Sequence, residues 1–236
     1  MIGTELLDDP HADPLAVERE LKDIARLNAL FGGTRAVVEA LEPFFRTAGK
    51  GERGNGKGVT WTLLDIGTGL GDIPRAAAAT ARRYGISLRL VGVELNRAAA
   101  ASAQGAESDA PLAVVLADGG MLPLAPRSVD VVVASQVLHH LAPAVAVRWI
   151  ASFSTLARRA VVLADLRRSR LAMAGVWLAS FPLRFGAVTR HDAVLSLRRG
   201  YTRGEMNALL RAAGVPAVAK YRPLSRVVAA WEPRDA

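Results

Sequence analysis

Residues Leu63–Pro74 read LLDIGTGLGDIP. An apolar run ends in an aspartate, and glycines follow at positions 67, 69 and 71. A strand that runs into alternate glycines must turn sharply, and glycine lets the backbone come close to a ligand. In an open α/β sheet this is where ligands bind, beyond the carboxyl ends of the strands at the point where strand order reverses. The stretch therefore commits the chain to a strand–turn–helix unit built around a bound molecule.

The downstream pattern extends that unit. Apolar runs at Thr60–Ile66, Leu88–Glu94, Ala113–Ala117, Val129–Ala134 and Ala160–Ala164 read as strands. Helical stretches such as Ile73–Tyr84 and Ala142–Thr155 lie between them. Apolar strands alternating with helices imply a parallel sheet covered on both faces. Two short runs, Ala217–Tyr221 and Arg226–Ala230, flank the turn-like Arg222–Ser225 and read as a hairpin at the sheet edge.

Upstream, Pro14–Leu30 has apolar residues at helical spacing, with Asp13 placed to cap it and proline at the first helical position. Gly32 and Gly33 end that helix, and Thr34 is placed to cap a second, Arg35–Phe45. Thr47–Gly58 is polar and glycine-rich and reads as an exposed linker. The expected organisation is a helical cap and linker over 1–58, then a main domain over 59–236. The length, 236 residues, suits one α/β domain with additions.

Composition narrows the chemistry. There is no cysteine, which removes disulfides, thiolate metal sites and cysteine nucleophiles together. No metal site is expected. The acidic, polar N-terminus does not read as a secretory signal. The most apolar segment, Leu171–Leu183, is too short to cross a bilayer, so a cytoplasmic location is expected. The net charge of +8 is uneven: from Arg158 onward there are 15 Lys or Arg against 5 Asp or Glu. A solvated arginine-rich surface is the plain reading. Few aromatics and no RNA-binding motif argue against specific nucleic-acid binding. Arginines around RRSRLAMAGVWLASFPLRF fit peripheral membrane contact or a greasy substrate better.

Two residues discriminate between nucleotides. The G-x-G-x-x-G pattern of dinucleotide enzymes needs glycine at 72, where the chain has Asp72, and Asp65 would repel a pyrophosphate. S-adenosylmethionine instead brings an ammonium and a sulfonium, beside which a carboxylate is useful. The next strand ends agree with it. Glu94 is placed to accept both ribose hydroxyls, and Asp118 to accept from the adenine amine while the Gly119 amide donates to the ring. Leu95 and Leu122 are candidates for the adenine walls.

LLDIGTGLGD, VGVELN and ADGGMLPLAPRSVDVVVASQVLHHL together resemble the ordered motifs of class I S-adenosylmethionine-dependent methyltransferases. The last segment is similar to the small-molecule branch, which includes quinone-type and natural-product enzymes. The resemblance implies a Rossmann-like, doubly wound, mostly parallel seven-stranded sheet with an antiparallel last strand. By motif position it makes Asp65, Gly67, Thr68, Gly69, Glu94, Leu95, Asp118, Gly119 and Ser135 the cofactor-binding set. It also implies that the N-terminal helices and the insertion at about 167–199 form a lid over the acceptor.

Methyl transfer from a sulfonium needs alignment above all, and a hydroxyl acceptor also benefits from a general base. Of four histidines, His139 and His140 follow the fourth strand. Some O-methyltransferases with a VLHHL-like segment pair its first histidine with an aspartate ending the fifth strand, which makes His139 and Asp165 the catalytic candidates here. The plain alternative is a structural His139 bound to backbone. His191–Asp192 reads either as a second polar pair over the pocket or as a loop turn. Met173, Trp177, Phe181 and Phe185 recur at helical spacing, as core packing or as an acceptor wall.

The expected activity is methylation of a small hydrophobic or phenolic acceptor, O-methylation being favoured. C-methylation of a quinone or polyketide ring and a non-catalytic cofactor-binding partner are the competing readings. The acceptor's identity and the oligomeric state are not legible in the sequence.

Overall fold

The computed structural model describes residues 3–9, 11–51, 59–105 and 108–233. Seven strands form one sheet in the order β3-β2-β1-β4-β5-β7-β6. They are β1 Val59–Ile66, β2 Ile86–Glu94, β3 Leu112–Leu116, β4 Val129–Ser135, β5 Ala157–Leu166, β6 Lys220–Arg222 and β7 Arg226–Trp231. The first five pair in parallel, and β7 lies antiparallel between β5 and β6. The sheet is Rossmann-like and mostly parallel, six strands running one way and β7 the other.

Period-two side-chain alternation divides the strands between two cores. Leu63, Val131, Val133 and Val162 face α2 (Gly33–Gly51) and α3 (Asp72–Arg83). Leu64, Val132, Val161 and Leu163 face α5 (Pro143–Leu156) and α8 (Arg203–Ala212). β4 is buried along its whole length, as a central parallel strand must be. Burying each of Leu41, Phe45 and Phe153 stabilises the fold by about 1.5–3 kcal/mol.

The N-terminal helix α1, Pro14–Leu30, starts as expected: Asp13 accepts from the Ala16 amide and proline occupies the first turn. Val17 and Leu21 pack it against Ala99 of α4, Arg97–Gln104. Two expectations fail at α2. Thr34 lies inside the helix rather than capping it, and its hydroxyl donates to Asp72 at 3.3 Å. Thr47–Gly51, expected in the linker, continues the helix through Pro43. Tertiary packing overrides the glycine signal here. Gly49 is needed for contact, because a Cβ there would stand 2.6 Å from the Tyr84 carbonyl oxygen. The remainder of that linker, 52–58, lies outside the described residues.

The order of the sheet reverses at β1, which has β2 on one side and β4 on the other. Over the carboxyl ends of these strands sit α1, the segment Gly3–Asp8, and α6 (Arg170–Ala179) with α7 (Ala187–Arg199). None of the described helices is long and apolar enough to cross a membrane.

Candidate active site

Gly67, Gly69 and Gly71 have φ of 68°, 51° and 74°, the left-handed region that glycine enters without strain. Gly67 has a steric reason as well, since a Cβ there would stand 2.5 Å from Val137 Cγ2. The Gly67 and Thr68 amides donate to the Val93 carbonyl at 2.8 and 3.1 Å, tying the turn to β2. A cavity of about 960 Å³ opens above it.

Eight of the expected site residues line this cavity: Gly67, Thr68, Gly69, Glu94, Leu95, Gly119, Ser135 and His139. Glu94 bridges two loops, accepting from the Gly69 amide at 3.1 Å and from the Leu95 and Asn96 amides at 2.9 and 3.1 Å. Asn96 in turn caps α4.

Three expected residues are off the wall. Asp65 is buried beneath the turn, where burial pushes its carboxyl up to about 8, with Asp72 and Glu94 adding to the shift. It lies under the loop, 2% exposed, rather than on the cavity wall. Asp118 turns back on its own loop and accepts from the Gly120 amide at 2.8 Å. Asp165 stands behind His139. Leu122, expected at the adenine wall, packs into the α5 side of the core, and Trp149 lines the cavity in its place.

His139 sits on a tight turn, Leu138–His140, just after β4. Its Nδ1 lies 2.7 Å from Asp165 Oδ1, and its amide donates to Asp165 Oδ2 at 3.2 Å. Asp165 also accepts from the Leu166 amide at 2.7 Å. A carboxylate beside Nδ1 accepts, so the imidazole proton sits there and Nε2 carries the lone pair. That Nε2 is buried and has no hydrogen-bond partner. Tyr201 braces the turn by donating to the Leu138 carbonyl at 2.8 Å.

His140 has a different role. Its Nδ1 lies 2.8 Å from Asp8 of the N-terminal segment. Burial opposes its charged form, but the Asp8 hydrogen bond and the charges of Glu5, Asp8 and Asp165 hold its pKa above the usual histidine value. Burial likewise works against the Asp8 carboxylate, yet His140, the Glu5 amide and Arg199 hold it well below the usual range. Arg199 Nη1 donates to Glu5 Oε1 and Asp8 Oδ2, each at 3.0 Å, and Ser196 donates to Glu5 Oε2 at 2.8 Å. The Leu6 amide donates to Asp192 Oδ2 at 2.7 Å. Gly3–Asp8 is thereby strapped onto α7. Glu5, His139 and His140 each bring a donor atom within 4.8 Å of the others, with Glu5 engaged by Arg199 and Ser196.

Of the His191–Asp192 pair, only Asp192 reaches the cavity; His191 is exposed and bonds to it from outside at 2.8 Å. The aromatic stripe divides too. Phe185 is buried, while Trp177 and Phe181 are 47% and 48% exposed, because α6 ends at Ala179 and presents Ala172, Gly175 and Val176 to the cavity instead.

Sequence reading missed several wall residues. Glu20 of α1 is buried, which pushes its carboxyl up to about 7, and it accepts from Thr189 at 2.7 Å. Asn28, Gln136 and Arg226 were also missed. They come from α1, the end of β4 and the start of β7, and no local motif joins them.

Residues 64–158 match the model of a family described as a methyltransferase domain. Over those residues, two fifths of the chain, the sequence is similar to a methyltransferase domain. Solved structures agree on the fold. Human N-acetylserotonin methyltransferase, in complex with S-adenosylmethionine, superposes at a TM-score of 0.65 with 12% identity, over 98% of this chain and 59% of its own. This chain thus spans about three fifths of the human enzyme's length. An S-adenosylmethionine-dependent methyltransferase from Aquifex aeolicus gives 0.57 and 14%, over 92% and 97%. A TehB-like methyltransferase from Corynebacterium glutamicum gives 0.54 and 16%, over 94% and 100%. A search of the curated proteins by sequence finds no match.

The cavity fits S-adenosylmethionine, the cofactor expected from the sequence. The Gly67 position leaves no room for a side chain, the Glu94 carboxylate stands on the wall beside Gly69, Trp149 offers an apolar face beside Gly119, and Leu95 also lines the cavity. The remaining volume, toward α1, α6 and α7, is walled by Leu21, Ile24, Leu27, Val176 and Leu197.

Proposed function

We propose that the methyltransferase acts on a hydroxyl group of a small hydrophobic or phenolic acceptor, with His139 as general base and Asp165 orienting it. The observation that carries this reading is the buried Nε2 of His139, unpartnered in the wall of the cavity, with Nδ1 held by Asp165 at 2.7 Å. Bound S-adenosylmethionine supplies an electrophilic methyl group. The chain's own work is to hold the cofactor, align the acceptor and take its proton. Glu94 is assigned to the ribose hydroxyls, Gly67–Gly69 and Ser135 to the neighbouring backbone contacts, and Leu95, Trp149 and Gly119 to the base. His139 Nε2 accepts the hydroxyl proton, and Asp165 stabilises the imidazolium that results.

The apolar wall supports a hydrophobic acceptor. We assign α1, α6, α7 and the Gly3–Asp8 strap to a lid over that half, as part of a helical cap and glycine-rich linker over 1–58 and an insertion at about 167–199. Such a lid excludes water and fixes the acceptor in line with the methyl group, where much of the rate originates.

A surface feature supports delivery of a greasy acceptor from a membrane. Leu171 and Leu178 of α6 are 84% and 61% exposed beside Trp177 and Phe181, with Arg167, Arg168, Arg170 and Arg184 exposed around them. An apolar ridge ringed by arginines suits shallow docking on anionic lipid. The reading as a whole is tested by purified protein with methyl-labelled cofactor and a panel of phenols and lipid quinols. Label transferred to oxygen on at least one of them is the expected result; label on ring carbon alone would replace it with C-methylation.

A further inference from the structure

Two adjacent histidines stand on the cavity wall, and each is held in the same way. His139 Nδ1 lies 2.7 Å from Asp165 Oδ1, and His140 Nδ1 lies 2.8 Å from Asp8 Oδ1. A carboxylate against Nδ1 keeps a proton on that nitrogen and leaves Nε2 for other work. The tight turn Leu138–His140 stacks the two rings, with centroids 4.2 Å apart and planes 35° apart. His139 Nε2 is buried with no hydrogen-bond partner among the described residues, and its side chain is 2% exposed. His140 Nε2 lies 3.8 Å from Glu5 Oε2. One donor atom from each of Glu5, His139 and His140 lies within 4.8 Å of the other two.

An imidazole whose far nitrogen is held by a carboxylate is the usual form of a metal-binding histidine. Here two such imidazoles stand side by side, next to a carboxylate with its own support. Glu5 accepts from Ser196 at 2.8 Å and from Arg199 at 3.0 Å, and ligating carboxylates are held by hydrogen bonds in this manner. The electrostatics agree. Glu5, Asp8 and Asp165 surround the two rings, while Arg199 Nη1, 3.3 Å from His140 Nδ1, opposes them. With both imidazoles neutral, the formal charges of these four groups leave two negative charges over, which a divalent ion balances.

We propose that His139 Nε2, His140 Nε2 and a carboxylate oxygen of Glu5 form a site for one divalent transition-metal ion, Zn2+ above all. Imidazole nitrogens select such ions over Mg2+ and Ca2+, which take oxygen ligands. The lack of cysteine does not forbid the site, since none of its ligands is a thiolate. Three protein ligands leave a fourth position open to the cavity that all three residues line. Ligand atoms around a tetrahedral zinc stand about 3.3 Å apart, so His140 Nε2 and Glu5 Oε2 need to close by only about half an ångström. The ion competes with protons for the imidazole nitrogens. Because Glu5 belongs to the Gly3–Asp8 strap and the histidines to the turn after β4, the ion also pins the strap over the acceptor half of the cavity. One consequence rests on the proposed function: an ion on His139 Nε2 takes the lone pair that would accept the acceptor's proton, and so inhibits methyl transfer.

The test titrates Zn2+ into the full chain, first stripped with a chelator, by calorimetry, with Mg2+ as the control ion. Binding of one zinc per chain and no binding of magnesium is the expected result. Glu5→Gln and His140→Gln should each weaken zinc by about 100-fold, and Asp8→Asn, which removes only the acceptor behind His140, by about 10-fold. Thermal unfolding midpoints show that each variant is folded. Replacing the two remaining histidines together, His11→Ala with His191→Ala, should leave zinc affinity unchanged. Co2+ in place of zinc should give a visible absorption band that His139→Ala removes. Wild type that binds no zinc would overturn the proposal. So would zinc affinity that survives in folded Glu5→Gln and His140→Gln, or that disappears with His11 and His191. Bound zinc should also slow methyl transfer, and chelator should restore it. Full turnover with zinc bound at these residues would keep the site and remove His139 as the base.

Discussion

His139 and Asp165 meet across two strand ends, Nδ1 to Oδ1 at 2.7 Å, and leave His139 Nε2 buried with nothing to bond. The contact exists because β4 and β5 are parallel neighbours, paired Ser135 to Ala164, so that Asp165 near the end of β5 lies beside the turn that carries His139 just past β4. Asp165→Asn removes the charge that stabilises an imidazolium and lets the amide hydrogen-bond the wrong tautomer. Turnover should fall by about 100-fold or more while S-adenosylhomocysteine affinity stays within a few-fold. Steady-state rates beside calorimetry give both numbers.

Glu94 is assigned to the ribose, and the structure gives it a second task. It receives three loop amides, from Gly69, Leu95 and Asn96. Glu94→Ala should weaken S-adenosylhomocysteine by about 100-fold, since charge-assisted hydrogen bonds to the ligand and to the glycine turn are lost together. Binding within threefold of wild type would take Glu94 out of the site.

The pH dependence of stability follows from two buried acids. Asp65 and Glu20 have carboxyl pKa values raised by burial to about 8 and about 7, against 3.8 and 4.5 when unperturbed. Below those lower values both states hold the protons. As pH rises from about 4 to about 8 the unfolded chain releases them first, so each group lowers stability across its window and then levels off. The loss is on the order of a few kcal/mol. Asp65→Asn and Glu20→Gln should each flatten the decline in denaturation midpoints measured without ligand. A wild-type profile that climbs from pH 5 to 8 would contradict the burial of both groups.

The fold was legible from Val59 onward because strand periodicity and the glycine turn point to the same architecture. The helical continuation over Thr47–Gly51 was not, since a glycine needed for helix contact at Gly49 looks the same in sequence as one that marks a loop. The site divided along similar lines. Residues at strand ends, such as Glu94 and His139, could be placed by position alone. Whether a carboxylate there faces the ligand or its own loop depends on one rotamer, and Asp118 and Asp65 turned away. Arg226 and Asn28 are nearly 200 residues apart and meet only through the β7 insertion and the packing of α1, which no local spacing encodes.

The α6 ridge should bind anionic vesicles weakly and release them with salt. Replacing Leu171, Trp177 and Leu178 by serine should reduce co-sedimentation with phosphatidylglycerol vesicles at least fivefold, without changing turnover of a water-soluble phenol. Equal binding to neutral and anionic vesicles would show that the surrounding arginines have no part in it.

The account stands most directly on one comparison: single-turnover methyl transfer by wild type and His139→Ala, with the same phenolic acceptor and saturating cofactor. The account predicts a rate lower by about 100-fold or more in the variant, S-adenosylhomocysteine affinity nearly unchanged, and a smaller deficit for acceptors already ionised at the assay pH. Equal rates for the two proteins on an un-ionised hydroxyl acceptor would contradict it, and would leave alignment under the lid as the source of catalysis.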